Sequence, residues 1–348
     1  MSDKNKTENR EYIAEGKAHG ETAGAVLSSN FSLDVLAQRY RNLNFSSLPP
    51  NYWKEIDKRI AKVARAELIG MADLQRSAEN IKINRKGKSV HEYYKVSEMS
   101  GGNIVMSPDE RGTSDVLDFS PAQIPLPIVK KEFWHELFTD TAAKENSFNL
   151  LMQLTDAASF VVANDLEEFL FNGIFTPAAG LSAYGYTQWP ERNEFTPASS
   201  PVPFADWTTV TLENIVDQVK QMVEVLWYQN HDGPYKLYIP RKYKYLLDSD
   251  YTTGSNEYPL GITLRERILK IEGMSEIATA RKLADDNVLL VEMSQRSLGL
   301  IQGLPMTVMD WEPPNTPNWK HMYKAMSCMV PLFKSDYEGQ NGILHAHL

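Results

Sequence analysis

The sequence predicts an α+β protein, with a few helices packed on an antiparallel-rich sheet. Three observations carry that reading. Apolar residues recur at helical spacing in three long stretches. The C-terminal part is rich in short apolar runs of strand length. Between the first two helices lies a polar, turn-rich segment with few core-forming residues.

In chain order, residues 1–46 are rich in Asn, Ser, Glu, Lys and Gly, with scattered Leu and Val between Val26 and Leu43. Alone, such a segment buries too little apolar surface to offset the entropy of ordering it. It is expected to form an arm ordered by neighbouring subunits. Pro49 and Pro50 then suit a first helical turn, where no backbone donor is needed. Trp53, Ile56, Ile60, Val63, Ala64 and Leu68 follow at helical spacing, and Gly70 is expected to end the helix. Residues 73–125 read as short polar strands and turns, with Tyr93, Tyr94, Val96, Ile104 and Val105 as the strand-like residues. They predict a long projecting hairpin. Lys82, Arg85, Lys86 and Lys88 make a local basic cluster there, read either as a solvated turn or as an anion site.

Residues 125–138, PLPIVKKEFWHELF, predict a strand returning to the body. From Ser147 to the Asn172-Gly173 terminator, apolar residues at helical spacing predict a helix of about 25 residues and about 40 Å. Asp165 interrupts its stripe. Residues 174–207 read as a loop rich in Pro, Gly and aromatics, and Leu212 to Leu226 as a second clean helix. Strands are expected at 233–240, 287–293, 297–303, 305–311 and 319–333, and a short helix at 264–273. There is no internal repeat.

Composition narrows the function. At 348 residues and 42% hydrophobic, the chain can bury a sizeable core. Its net charge of −9 argues against a protein whose main task is gripping nucleic acid, which requires a basic surface. The single cysteine, Cys328, allows no internal disulfide framework or cysteine-based metal site, and its apolar surroundings predict a buried side chain. The start MSDKNKTENREYIAEGKAHG has no apolar core, so no signal peptide is expected. No run of about 18 apolar residues predicts a membrane span.

The chemistry-bearing motifs are absent. His135–Leu137 begins a zincin-like pattern, but Thr139 stands where the second His belongs. No phosphate-binding glycine loop or nucleophile elbow occurs. Glu167 and Glu168 are neighbours on a helix, about 100° apart, and cannot share a proton. Asp285 and Asp286 read as turn formers, and His345 and His347 as tail residues. No catalytic, metal or cofactor residues are therefore assigned, and no enzyme is expected. Seven Trp and sixteen Tyr fit core and subunit interfaces better than a ligand platform, because they are spread along the chain.

The order of elements resembles the Hong Kong 97-type capsid fold of tailed-phage major capsid proteins and encapsulins. LPPNYWKEIDKRIAKVARAELIG is similar to the first helix of the encapsulin branch, an L-x-x-x-x-W-x-E-I-D pattern. PLPIVKKEFWHEL is similar to the strand after its hairpin, and AASFVVANDLEEFLFNGI to the end of its spine helix, with Phe171 and Gly173 in place and the acidic pair altered. DGPYKLYIPRKYKYLLD and NVLLVEMSQRSLGLIQGLPMTV resemble later strands, the former with one glycine missing.

The resemblance covers residues 43–348. It implies an N-terminal arm (1–46), an E-loop (73–125), a P-domain with the spine helix (51–72, 126–173 and 303–318) and an A-domain (174–302 and 319–348). It implies a structural subunit that self-assembles into pentamers and hexamers of an icosahedral shell enclosing phage double-stranded DNA by weak, non-specific contact. Cement, portal or scaffolding proteins would be further partners, with no membrane. The shell would be built in the bacterial host cytoplasm and end in the virion. The alternative is an encapsulin compartment enclosing cargo enzymes. The 46-residue leader and the expanded 174–207 loop depart from encapsulins. Reading from Met1, no removal of an N-terminal scaffolding segment is expected. Lys82, Arg85, Lys86, Lys88, Tyr93, Tyr94 and Trp53 are the expected inter-subunit residues.

Overall fold

The computed structural model describes residue 56 and residues 69–348, except 86, 98, 100, 103, 108, 110–113, 137–148, 179, 200, 253–258, 311–319 and 337–338. The chain divides into the units Met1–Lys54 and Glu55–Leu348, and all described residues belong to the second. The expected arm, Trp53, Lys86 and most of the first predicted helix lie outside the described residues.

Helix α1 spans Ile69–Ser77, so Gly70 does not end a helix, and residues 73–77 are helical instead of strand-like. Tertiary contacts explain the difference. A Cβ at Gly70 would stand 2.7 Å from Leu170 Cδ2, so glycine lets α1 approach the second helix closely. The buried carboxylate of Glu167 accepts the backbone N–H groups of Gly70 (2.7 Å) and Met71 (3.3 Å).

Four strands form the first sheet, in the order β1 (Glu79–Lys82), β13 (Leu298–Asp310), β14 (Lys320–Phe333), β4 (Val129–Glu136). β1 runs parallel to β13; the other pairs are antiparallel. Strand β13 replaces two predicted strands. Gly303 and Pro305 interrupt the pattern, but they sit at register shifts through which the strand continues. Strand β14 joins the same sheet. It pairs with β4 and β13 over residues 320–333, while the C-terminal strand joins a different sheet. Helix α2, Leu150–Asn172, packs on β4 and β14. Asn149 caps it by accepting from Met152 N–H at 3.2 Å. Its 23 residues span about 35 Å. Asp165 faces solvent, and Glu167 and Glu168 diverge as expected: Glu168 pairs with Lys282 at 3.0 Å.

The predicted 174–207 loop contains β5 (Ile174–Ala178), β6 (Leu181–Tyr184), a 3₁₀ turn and β7 (Asn193–Phe195). β7 edges a five-stranded sheet ordered β11 (Met274–Thr279), β8 (Tyr235–Ile239), β12 (Asn287–Glu292), β15 (Ile343–His347), β7. His345 and His347 are thus strand residues, correcting their reading as a tail. Two short strands, β9 (Asp250–Thr252) and β10 (Pro259–Thr263), precede the short helix α4, Leu264–Leu269.

This sheet is covered on both faces, which is why its central strands are continuously apolar. Leu237, Ile239, Val288 and Leu290 face helix α3 (Leu212–Tyr228) and its stripe Ile215, Val219, Met222 and Leu226. On the other face Tyr238, Leu289 and Val291 join a core with α1, α2 and the inner side of β13–β14. The outer side of β13–β14, with Ile301, Cys328, Val330 and Leu332, meets Ile124, Leu126 and Ala183 in a third core. Cys328 is buried as expected, and burial pushes its thiol pKa up. Lys236, in the middle of β8, is also buried. It pairs with Asp73 of α1 (2.8 Å) and Glu276 (2.7 Å), and Tyr238 donates to the same Asp73 oxygen. One buried carboxylate thereby pins α1 to the five-stranded sheet.

Candidate assembly surfaces

Strands β2 (Val90–Val96) and β3 (Phe119–Pro125) pair antiparallel, from Val90 opposite Pro125 to Val96 opposite Phe119. The pleat turns His91, Tyr93 and Lys95 towards the body and Glu92, Tyr94 and Val96 towards solvent. At the base, Ile124 and Leu126 are buried in the third core. Arg85 clasps this base, donating from Nε to Leu126 O (2.9 Å) and from Nη1 to Lys88 O (3.1 Å). Tyr93 rests on the same core, where burial and the nearby Glu191 charge raise its phenol pKa. Lys95 reaches both oxygens of Glu191, at 2.7 and 2.8 Å.

Beyond Lys95 the surface changes. Val96, Met99, Ile104, Val105, Met106, Val116 and Phe119 are all exposed, Ile104 and Met106 completely. Tyr94 joins them at 65% exposure. So many exposed large apolar side chains within one segment make it a candidate interaction surface.

The expected inter-subunit residues divide. Lys82 and Lys88 are exposed, and Tyr94 points outward. Arg85 and Tyr93 are turned inward and serve the subunit's own packing, so the basic cluster is broken up by the Arg85 clasp. The exposed Met99, Met106 and Val116 were missed by sequence reasoning. Their signal was apolar residues scattered in an otherwise polar, turn-rich segment. Ile104 and Val105, read as strand-like, lie outside any strand.

Two further apolar surfaces are uncovered. Trp134, on edge strand β4, is 49% exposed beneath the Lys320 ammonium at 4.2 Å. On α3, Val223, Trp227 and Tyr228 line a groove of about 540 Å³ with Ile271, flanked by Lys220 and Glu224.

Folding also assembles polar clusters that no local motif announces. Ser297 donates to Glu292 Oε2, and His231 Nδ1 meets the same oxygen at 2.6 Å. All three side chains are buried. A Cβ at Gly342 would lie 2.7 Å from that oxygen, so glycine lets the backbone pack directly against it. The cluster closes the turn after β12, where hydrogen bonds from His231 and Ser297 outweigh burial and hold the Glu292 pKa down. His345 accepts from Arg192 Nε at 3.2 Å through Nδ1 and meets Asn287 Oδ1 at 2.7 Å through Nε2. Burial, with His347 and Arg192 nearby, lowers its pKa to about 3. Among the described residues no group of His, Cys, Asp or Glu is placed to hold a metal ion, and no helix is long and apolar enough to cross a membrane.

A family profile matches residues 42–346, nearly the whole described fold. The chain belongs to DUF6260, a family of unknown function. No curated protein matches the sequence. Among solved structures, it is similar to a virus-like particle from Pyrococcus furiosus, with TM-score 0.56 and 12% identity over 85% of this chain and 99% of that one. It is similar to the capsid of Myoviridae phage XM1, with TM-score 0.56 and 11% identity over 77% and 89% of the two chains. A structure from Microbacterium phage Oxtober96 matches with TM-score 0.56 and 10% identity, over 78% and 90%. At such identities the likeness is one of fold. The fold is the Hong Kong 97-type capsid fold.

Proposed function

We propose that this chain is a structural shell subunit, and that many copies close into an icosahedral phage capsid around double-stranded DNA. The observation that carries the reading is the β2–β3 hairpin, whose distal apolar side chains find no cover among the described residues. Folding normally removes such surface from water, and a second copy is the simplest partner able to do so repeatedly. The fold shared with particle-forming proteins supports the same reading. In this reading the E-loop, 73–125, is carried by the β2–β3 hairpin, α2 and the four-stranded sheet form most of the P-domain, and the five-stranded sheet forms most of the A-domain. Lys82, Lys86, Lys88, Tyr94 and Trp53 remain proposed interface residues, with 1–46 as an arm lying on neighbours. Weak repeated contacts become strong through avidity, so each need only be modest.

A cargo compartment of the encapsulin type is the second reading. It is favoured by the near-complete coverage, 99%, of the Pyrococcus furiosus particle chain.

Negative-stain microscopy of the full chain expressed alone tests assembly: closed particles are expected. A small soluble species at every concentration tried would overturn the shell reading. Particle diameter, with nuclease-protected DNA or co-purified enzyme inside particles from the native source, separates capsid from compartment.

A further inference from the structure

Between its buried base and its uncovered end, the hairpin makes a charged contact with the body through Lys95 and Glu191. We propose that Lys95–Glu191 is a releasable latch that sets the angle at which the hairpin leaves the body. When the latch opens, the part distal to Tyr93 swings while the base stays fixed.

The two attachments differ in kind. The base is held by buried apolar residues and by backbone bonds: Ile124 and Leu126 lie in the third core, Leu126 N–H donates to Ser89 O at 2.9 Å, and Arg85 adds its clasp. These contacts are lost only if the core opens. The latch is a single long side chain reaching one carboxylate, with the two side chains 20% and 36% exposed. Water and salt reach such a pair, so its net strength is small and it exchanges readily for another partner.

Glu191 is the fixed side. Asn341 Nδ2 donates to its backbone carbonyl, and Ser335 donates to Oε2. Next to it, Arg192 is bound to Trp189 O at 2.8 Å and to Glu194 at 2.6 Å, and Trp189 is itself buried in the core shared with α1 and α2. Burial alone would raise the Glu191 pKa. Hydrogen bonds from Lys95 and Ser335 outweigh it and keep the carboxylate ionised at neutral pH. Lys95 is the last inward-facing residue of β2. Past it only the Val96–Phe119 pair and the Ser97–Asp118 bonds continue the ladder. A change of angle at this point moves the whole apolar end and leaves the cores untouched.

The latch belongs to the single subunit; only its consequence for particle geometry rests on the shell reading. Hydrogen exchange of the full-length chain tests it. Lys95→Met and Glu191→Gln should each raise exchange at amides 94–99 and 116–120 by about two- to fivefold. Lys95→Arg and the charge swap Lys95→Glu with Glu191→Lys should restore wild-type protection. Amides of β8 and β12 should stay protected in every variant, which reports an intact fold. Unchanged hairpin exchange in both single variants, or a swap worse than either, would sink the proposal. Should a variant lose core protection, the wild-type chain in about 0.05 M and about 0.5 M salt gives the same decision: screening should loosen the hairpin alone, and salt-independent exchange overturns the latch. Absence of particles would count against the shell reading without touching this result.

Discussion

In β8 every residue from Tyr235 to Ile239 is buried, whereas in β2 Tyr94 keeps 65% of its surface and Val96 keeps 42%. Both are short strands with aromatic and β-branched residues. The difference lies in what covers them. β8 has α3 on one face and α1 with α2 on the other, all supplied by its own chain. Hairpin β2–β3 has a core beneath its base and nothing described over its outward face. Self-contained stability and uncovered surface are thus assigned to different parts of one subunit. Changes in one part should leave the property of the other alone.

The largest separation is expected from hollowing the hairpin's end. Replacing Ile104, Met106 and Phe119 with Ser should cut the assembly constant at least about a hundredfold, because each side chain stands to bury ~1.5 kcal/mol or more. The subunit's own melting temperature should not move. Sedimentation beside thermal melting checks both, and a drop in melting temperature would show that the hairpin is part of the fold's stability.

On the other side of the comparison, Trp207 is fully buried, stacks on Tyr243 and donates to Gln218 at 2.9 Å. Trp207→Ala should cost about 3–5 kcal/mol in urea unfolding. Gly70→Ala forces a Cβ against Leu170 and should cost about 1–3 kcal/mol, read the same way.

His345 gives the self-contained part a pH dependence. Its pKa is about 3 in the folded chain, against 6.5 when unfolded, because burial, His347 and Arg192 disfavour the charged ring. Between those values the unfolded chain binds the extra proton. Stability from this site is therefore full above pH 6.5 and falls on acidification, by up to about 1.4 kcal/mol per pH unit. Urea midpoints at pH 7.5 and 5 should differ less in His345→Gln than in the wild type; an unchanged difference would remove His345 as the cause. The smallest effect is expected for Tyr94→Ser, within about 0.5 kcal/mol of wild-type stability, since the side chain touches little of its own subunit.

The comparison also explains what could be read from sequence. α3 and α2 announced themselves because their buried stripes recur at helical spacing over 17 and 23 residues. β8 and β12 announced themselves because a strand covered on both faces must be apolar throughout. α1 was hidden past Gly70, since Asp73, Gln75 and Arg76 look polar until Lys236 and Tyr238 arrive from far along the chain to take up Asp73. β15 was hidden because ILHAH is short and its histidines read as polar. Among the expected interface residues, alternation decided the outcome: Tyr93 and Tyr94 are equivalent in composition, but a strand turns one inward and the other outward. The order of elements was legible, while the direction of each side chain depended on register between distant segments.

That distance has a consequence for timing. Glu79 pairs with Gly299, and Val129 to Glu136 pair with Lys320 to Ser327. The first sheet cannot close until almost the whole chain has left the ribosome. Long-range pairing is slow, because loop-closure entropy must be met before the contacts reward it. Until β13 and β14 arrive, the hairpin has no platform under its base and no latch partner held in place. A nascent chain therefore carries a loose apolar ribbon without the geometry to dock it, and under the shell reading copies gain the competence to join one another only on completion. Co-translational chaperone capture should accordingly peak on chains ending before about residue 330, where the hairpin has emerged but its sheet has not.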